Sequence, residues 1–159
     1  MSPDVQPVPE QMHTLTPRLV MKDAAAAIRF YQEAFGAEVL AEPFRMPDGQ
    51  VVHSEIRIGD SVVYLTDEGS DGNGVSPGSA GGGVTAIMSL AVPDVDAWWE
   101  RAVAAGCEVI YPLADQFYGD RGGRVRDPFG HQWMLSTHVE DVDPEELERR
   151  ARAYAEGDG

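Results

Sequence analysis

The sequence has 159 residues, of which 43% are hydrophobic, and this suffices to bury a core in one domain or in two very small repeated ones. The formal charge of −15 opposes binding to nucleic acid or to an anionic membrane surface, and reflects either solubility or attraction of a cationic ligand. The single cysteine excludes an intrachain disulfide, and without a secretion signal or a run of about 18 apolar residues the chain is expected to be cytoplasmic.

The first half of the chain predicts one helix among several strands. After an N-terminal tail of residues 1–14, TPRLVM is typical of a strand, and Asp23 then supplies the N-cap of a helix that ends at Gly36. Three strand-like runs follow, AEVLAEPF, VVHSEIRI and SVVYLT, with turn sequences between them. Residues 15–66 are therefore predicted to form a βαβββ module.

The second half repeats this order after a linker. Residues 67–84 are rich in Gly and Ser, which is typical of a flexible connection between modules. TAIMSLAV then predicts a strand, Asp94 caps a helix that ends at Gly106, and CEVIYP, GGRVRD and HQWMLST predict three further strands. Residues 85–138 are therefore predicted to form a second βαβββ module.

The last segment, residues 139–159, predicts a helix and a short tail. Asp143 is suited to the N-cap and Pro144 to the first helical position, and Glu146 is expected to close a capping box. The apolar stripe of this helix is thin, so the helix is expected to pack on its own subunit or on a partner.

The two βαβββ patterns, together with DPFGHQW near the end, resemble the vicinal oxygen chelate superfamily, which includes glyoxalase I, extradiol dioxygenases and bleomycin-resistance proteins. The stretches VMKDAAAAIRFYQEAFGAEVL, HSEIRIGDSVVYLTDE, VPDVDAWWERAVAAGCEV and DQFYGDRGGRVRDPFGHQW look most like the PhnB-like branch. The resemblance covers about residues 16–137. It implies an α+β fold whose two modules form a half-open, U-shaped sheet, ligands bound in the hollow, and a homodimer.

The resemblance also implies four metal-ligand positions, one on each of four strands that face the hollow. They fall near Thr16, on Tyr64, on Ile87 or Ser89, and on Met134. Hard divalent ions need oxygen or imidazole ligands, and a thioether, an alkyl group and two hydroxyls make a poor set. We therefore expect the usual metal site to be absent and the protein to have no cofactor.

The run VVHSEIRI places polar side chains on one side of a strand. Its alternation separates Ile56 and Ile58 from His53, Glu55 and Arg57, so that the three polar residues face the hollow if the isoleucines pack under a helix. His53 and Glu55 then form an acid–base pair or two ligands of a displaced metal site. Alternatively, they form a solvated ion pair without a function.

The run DQFYGDRGGR predicts a loop over the hollow, because it is rich in glycine and also aromatic. The residues predicted to bind a ligand are Phe117 and Tyr118 by stacking, Asp115 or Asp120 by holding a cation, and Arg121 or Arg124 by holding an anion. In the alternative interpretation the aromatic rings fill the core, and Arg121 ties the loop down through an internal salt bridge.

Three functions are consistent with these features. The first is a non-catalytic protein that sequesters or carries a small molecule such as an antibiotic, with the ligand bound by His53, Glu55, Arg57, Tyr64, Ser89, Asp115, Phe117, Tyr118, Arg121, Arg124 and Met134. The second is a lyase, isomerase or dioxygenase with a relocated divalent metal at His53 and Glu55. The third is a structural or regulatory module with a closed cleft.

Overall fold

The computed structural model describes residues 5–70, 72 and 74–157, which divide into two compact units between Gly83 and Val84. Residues 1–4 and 158–159 of the predicted tails, and positions 71 and 73 of the predicted linker, lie outside the described residues. The elements are β1 Arg18–Met21, α1 Ala24–Phe35, β2 Glu38–Val39, β3 Phe44–Arg45, β4 Val51–Ile58, β5 Ser61–Asp67, β6 Ile87–Ala91, α2 Val95–Ala105, β7 Glu108–Asp115, β8 Asp120–Arg126, β9 Gln132–His138 and α3 Pro144–Glu156.

The first unit contains a mixed sheet with the strand order β1-β5-β4-β2, in which β3 also pairs with β4. The strands β1 and β5 are parallel, and the other pairs are antiparallel. The sequence AEVLAEPF does not form the single strand that its pattern predicts, because it is interrupted between β2 and β3. Pro43 lies in this interruption, where it has no N–H group to donate to a strand ladder.

Helix α1 covers one face of the first sheet. It begins after Asp23, whose carboxylate accepts a hydrogen bond from the N–H of Ala26 at 2.9 Å, and it ends at Gly36, whose φ of 64° is left-handed. The buried side chains of α1 are Ala24, Ala27, Ile28, Tyr31, Ala34 and Phe35. Ile56 and Ile58 of β4 are buried on the side of the sheet that faces α1, as the alternation predicts.

The second unit contains a four-stranded sheet with the order β6-β9-β8-β7, in which β6 and β9 are parallel. Helix α2 begins after Asp94, which accepts from the N–H of Ala97 at 3.2 Å, and packs on one face of this sheet. Trp99 lies so close to Gly123 of β8 that an added Cβ there would stand 2.6 Å from its ring. The two mixed sheets and their helices confirm the predicted α+β class.

The segment between the two modules is anchored to the first unit. The N–H of Ser76 donates to a carboxylate oxygen of Glu68 at 2.9 Å, and the hydroxyl of Ser79 donates to the other oxygen at 3.0 Å. These bonds lower the pKa of Glu68, with those from Ser76 contributing most. Ser76 is only 1% exposed, so at least this part of the segment is packed.

Helix α3 follows the second sheet. Asp143 is its N-cap, as predicted, and accepts from the N–H groups of Glu145 and Glu146. Glu146 does not close a capping box, because its carboxylate binds the guanidinium groups of Arg149 and Arg150 instead. No helix within the described part of the chain combines the length and the apolar character needed to cross a membrane.

Candidate functional site

Each sheet has one face that packs against its helix and an opposite face, which we call the open face. On the open face of the first sheet, the register places Arg18 of β1 and Glu55 of β4 on either side of Tyr64 of β5. We call these three residues the first row. His53 lies on the same face as Glu55, two residues earlier on β4, because side chains alternate along a strand.

The side chain of His53 contacts all three side chains of the first row. His53 Nε2 lies 2.9 Å from Glu55 Oε1, and a terminal nitrogen of the Arg18 guanidinium lies 3.5 Å from His53 Nδ1. Because a guanidinium only donates, Nδ1 accepts in this arrangement and Nε2 donates to the carboxylate. The Tyr64 ring meets the His53 ring edge-on, with centroids 4.7 Å apart, and Arg18 Cζ lies 5.6 Å from the Tyr64 centroid.

This cluster is accessible, since the side chains of His53 and Glu55 are 35% and 32% exposed. Arg57 lies on the same face of β4 but pairs with Glu38 of β2 across the strands. Its charge is therefore compensated within the protein. The sequence predicted His53, Glu55 and Tyr64 as site residues, but it did not single out Arg18.

The open face of the second sheet carries a corresponding row. Ser89 of β6, Met134 of β9, Arg124 of β8 and Tyr111 of β7 are consecutive cross-strand neighbours, and we call them the second row. Arg124 Cζ lies 5.2 Å from the centroid of the Tyr111 ring. The methyl end of Met134 lies beside Gly122, where an added Cβ would be 3.3 Å away.

The strand register shows which residues lie beside Tyr64 and Met134, which the sequence located only as near Thr16 and as Ile87 or Ser89. Ser89 is the residue that pairs with Met134, whereas Ile87 pairs with Gln132. In the first sheet the residue beside Tyr64 is Arg18, since Thr16 lies before β1 begins. A register shift between Val109 and Tyr111 brings Tyr111 opposite Arg124, and no local sequence signal predicts such a bulge.

The residues of the two rows do not fit the divalent metal that the resemblance implies. In the first unit, the two neighbouring positions on β1 and β5 hold the guanidinium of Arg18 and the phenol of Tyr64. In the second unit, the corresponding positions on β6 and β9 hold the hydroxyl of Ser89 and the thioether of Met134. A guanidinium repels a cation, and a thioether is a poor ligand for a hard one. His53 and Glu55 supply two ligands, but within residues 5–70, 72 and 74–157 no three His, Cys, Asp or Glu side chains are grouped to hold a metal ion.

The run DQFYGDRGGR is not the long loop that its composition predicts, because Asp115 ends β7 and Asp120 begins β8, which leaves only residues 116–119 as a loop. The charged residues that flank this loop are engaged within the protein. The Arg121 guanidinium binds the carboxylate of Asp96 in the first turn of α2 at 2.8 Å and that of Asp115 at 3.2 Å. Arg121 therefore forms an internal salt bridge, as the alternative interpretation of this run expected. The hydrogen bonds to Asp96, and to a smaller extent those to Asp115, raise the pKa of Arg121. Asp120, the other residue considered for a cation, lies 2.8 Å from His138 Nδ1.

The aromatic residues of the same loop lie against α3. The Phe117 ring has its centroid 5.1 Å from that of Tyr154 and 5.3 Å from that of Tyr118. A cleft of about 430 Å³ lies between the loop and the helix, lined by Asp115, Gln116, Phe117, Arg149, Arg150, Ala153 and Tyr154. Burial and, secondarily, Asp120 raise the pKa of Tyr118, whereas Arg124 acts in the opposite direction. Phe117 therefore belongs to the contact with α3, not to the second row.

A family model and a curated relative match most of the chain. The model of the Glyoxalase/Bleomycin resistance protein/Dioxygenase superfamily matches residues 11–135. The uncharacterized protein Rv0887c of Mycobacterium tuberculosis is 43% identical over 148 residues, which cover 91% of this chain and 85% of that protein.

Solved structures share the fold. The crystal structure of TioX from Micromonospora sp. ML1 matches with a TM-score of 0.62 and 30% identity, over 79% of this chain and 98% of that one. The fosfomycin resistance protein FosX from Listeria monocytogenes, solved with Mn(II) and sulfate, matches with a TM-score of 0.59 over 86% of this chain and 96% of that one. Its identity of 20% supports a shared fold alone.

Proposed function

The chain belongs to the Glyoxalase/Bleomycin resistance protein/Dioxygenase superfamily, as its sequence resemblance predicted, and from this premise we propose that it binds a small molecule on an open face of one of its sheets without a metal ion. The proposed role is to sequester or carry a compound, such as an antibiotic, in the cytoplasm. We also assign the chain to the PhnB-like branch and propose that it acts as a homodimer.

The observation that carries this proposal is the composition of the two rows. Cross-strand pairing brings a guanidinium and a tyrosine ring together on each open face, as Arg18 with Tyr64 and Arg124 with Tyr111. Such groups stack on flat molecules and donate hydrogen bonds, but they do not coordinate divalent ions. The open faces are therefore suited to an organic ligand.

A thermal-shift screen with antibiotics and small aromatic compounds tests this proposal. A compound that binds should raise the melting temperature, since a ligand at 100 times its Kd stabilises the folded state by about 2.7 kcal/mol. Tyr64→Leu should weaken the binding of a hit by about tenfold, because a stacking contact contributes about 1 kcal/mol or more.

The matched control is Tyr154→Leu, because Tyr154 is an exposed tyrosine on α3 and lies outside both rows. This variant should bind the hit as the unchanged protein does. Binding that survives Tyr64→Leu and Tyr111→Leu but is lost in Tyr154→Leu would place the ligand in the cleft beside α3 and contradict the proposal.

A second candidate function is a lyase, isomerase or dioxygenase with a relocated divalent metal. The observation in its favour is the 2.9 Å contact between His53 and Glu55 on an accessible face, since both residue types are metal ligands. Elemental analysis of protein purified without chelators distinguishes the two candidates. We expect well under one metal ion per chain, whereas stoichiometric metal that is lost in His53→Ala would establish the enzyme.

A further inference from the structure

Most arginine side chains that contact the two sheets or lie on α3 are compensated by carboxylates. The arginines with a carboxylate within ion-pair distance are Arg57, Arg121, Arg126, Arg149, Arg150 and Arg152. Two strand arginines of the first unit bond to other groups instead, Arg18 to the His53 ring and Arg45 to the carbonyl oxygen of Gly49. A strand arginine with none of these partners is therefore the exception.

Arg124 is such a residue, at the centre of the second row. Its cross-strand neighbours are Tyr111 and Met134, neither of which carries a charge, and no carboxylate among the described residues lies within ion-pair distance of it. Its Nε atom is buried and has no hydrogen-bond partner. A buried donor of a charged group costs free energy when it is left unsatisfied, so a ligand that stabilises this charge does so through the two terminal nitrogens of the guanidinium.

The acidic residues on the same face do not compensate Arg124, because they are already paired. Glu108 lies opposite Arg126 and accepts a hydrogen bond from it at 3.1 Å. Asp120 lies opposite His138 and contacts its Nδ1 at 2.8 Å. The Nε atom of Arg126 is also buried and without a partner, but the charge of that guanidinium is balanced by Glu108, whereas the charge of Arg124 is not.

The guanidinium of Arg124 is also held in place. Its Cζ lies 5.2 Å from the centroid of the Tyr111 ring, and this contact restricts the rotamers of the side chain. A planar guanidinium held in this way matches the two oxygens of a carboxylate or a phosphonate with parallel hydrogen bonds. Ser89, at the other end of the second row, adds a hydroxyl that donates or accepts.

We infer that Arg124 binds an oxyanion of the ligand, a carboxylate, phosphonate or phosphate, on the open face of the second sheet. This inference rests on the proposed function, which it narrows to compounds that carry a negative charge. The net charge of −15 opposes the binding of such an anion, because its long-range field is repulsive. The interaction therefore depends on short-range hydrogen bonds to Arg124, because charges farther away than about 8 Å are screened at physiological ionic strength.

Nuclear magnetic resonance titrations with three matched probes test the inference. Benzoate and phenylphosphonate carry the anion, and benzamide is the neutral compound of the same shape. We expect both anions to shift the Arg124 side-chain Nε–H signal and the backbone signals of Met134 and Ser89, whereas benzamide should not. The two anions also show which oxyanion binds more tightly.

Substitutions on the same face provide the controls. Arg124→Gln should weaken anion binding by about tenfold or more, since charge-assisted bidentate pairs are the strong ones. Arg126→Gln removes the same charge from the same face of β8 and should change the affinity less than about twofold if the contact is local. Retained dispersion of the backbone spectrum shows that each variant is folded.

A second pair of variants keeps Arg124 and changes its neighbour. Met134→Glu places a carboxylate directly across the strands from Arg124, where the two side chains can pair. Met134→Gln has nearly the same shape without the charge. We expect the Glu variant to bind the anions about tenfold more weakly than the Gln variant, because its own carboxylate occupies the guanidinium.

Three results would overturn the inference. They are benzamide binding as tightly as benzoate, Arg126→Gln weakening the anions as much as Arg124→Gln, and equal affinities for Met134→Glu and Met134→Gln. None of these results contradicts the proposed function if a compound from the thermal-shift screen still binds and its binding depends on Tyr64. The proposed function fails separately if no compound, charged or neutral, shifts the signals of either open face.

Discussion

The only thiol of the protein is kept in its protonated form by its surroundings. Cys107 is 6% exposed, and burial, with a smaller contribution from the carboxylate of Asp127, raises its pKa to about 12. Because the thiolate is the reactive species, we expect Ellman's reagent to leave the folded protein unmodified at about pH 8 and to modify one thiol per chain after unfolding in guanidinium chloride. Full modification of the folded protein would contradict this.

His138 makes stability depend on pH. Its ring bonds to Asp120 at one nitrogen and to Asp141 at the other, and these contacts, with Asp120 contributing most, raise its pKa. The pKa in the folded state therefore lies above the unfolded value of about 6.5. The stabilisation is complete below about pH 6.5 and is lost as the pH rises through the folded-state pKa.

His138→Gln should consequently be less stable than the unchanged protein in acid, and the difference should disappear at alkaline pH. Urea unfolding at a series of pH values measures it. The matched control is His13→Gln, because His13 is an exposed histidine in the segment before β1. A difference for His138→Gln that grows with pH would show that the sign is wrong.

At the scale of elements, α3 is the least embedded helix. None of its side chains is buried, and it contacts Phe117 between β7 and β8 and Glu140 after β9. The Tyr154 ring packs at a tilt against Phe117, and Arg150 bonds to the carboxylate of Glu140 and to the carbonyl oxygen of Phe117. Bonds from Arg150 lower the pKa of Glu140, but exposed ion pairs contribute little to stability. The aromatic contact is therefore expected to dominate.

Phe117→Ala should release α3 without unfolding the sheet. We expect amide hydrogen exchange of residues 144–156 to accelerate by about tenfold, since an aromatic pair contributes about 1 kcal/mol beyond the area that it buries. The strands β8 and β9 should keep their protection. Phe44→Ala, the same substitution at an exposed phenylalanine of the first unit, should leave α3 unchanged. Unaltered exchange in Phe117→Ala would mean that the ion pairs hold the helix.

At the scale of the whole molecule, we expect a homodimer. The second unit leaves large apolar side chains exposed, among them Ile87 and Val109. Strand β6 is at one edge of its sheet and β7 at the other, and sheet edges with apolar side chains are commonly covered by another chain. Light scattering should give about twice the 17.3 kDa of the chain, and a mass of one chain across the micromolar range would contradict the dimer.

The sequence by itself determined the elements that depend on local interactions. Asp23, Asp94 and Asp143 cap the three helices that their positions predict, because a cap bonds to N–H groups only two or three residues away. The alternation along β4 placed His53 and Glu55 on one face, because side-chain direction follows from the backbone of a single strand. The family, too, could be identified from motifs within the chain.

Only the tertiary structure decided which of these side chains meet. Arg18 lies beside Tyr64, and Tyr111 lies opposite Arg124, through strand register and a bulge that join residues far apart in the sequence. Phe117 lies against Tyr154 of α3, although the sequence around it was equally consistent with a loop that covers a ligand. Cross-strand pairing is set by packing over the whole sheet, and no local pattern specifies it; the unpaired charge of Arg124 was therefore visible only in the fold.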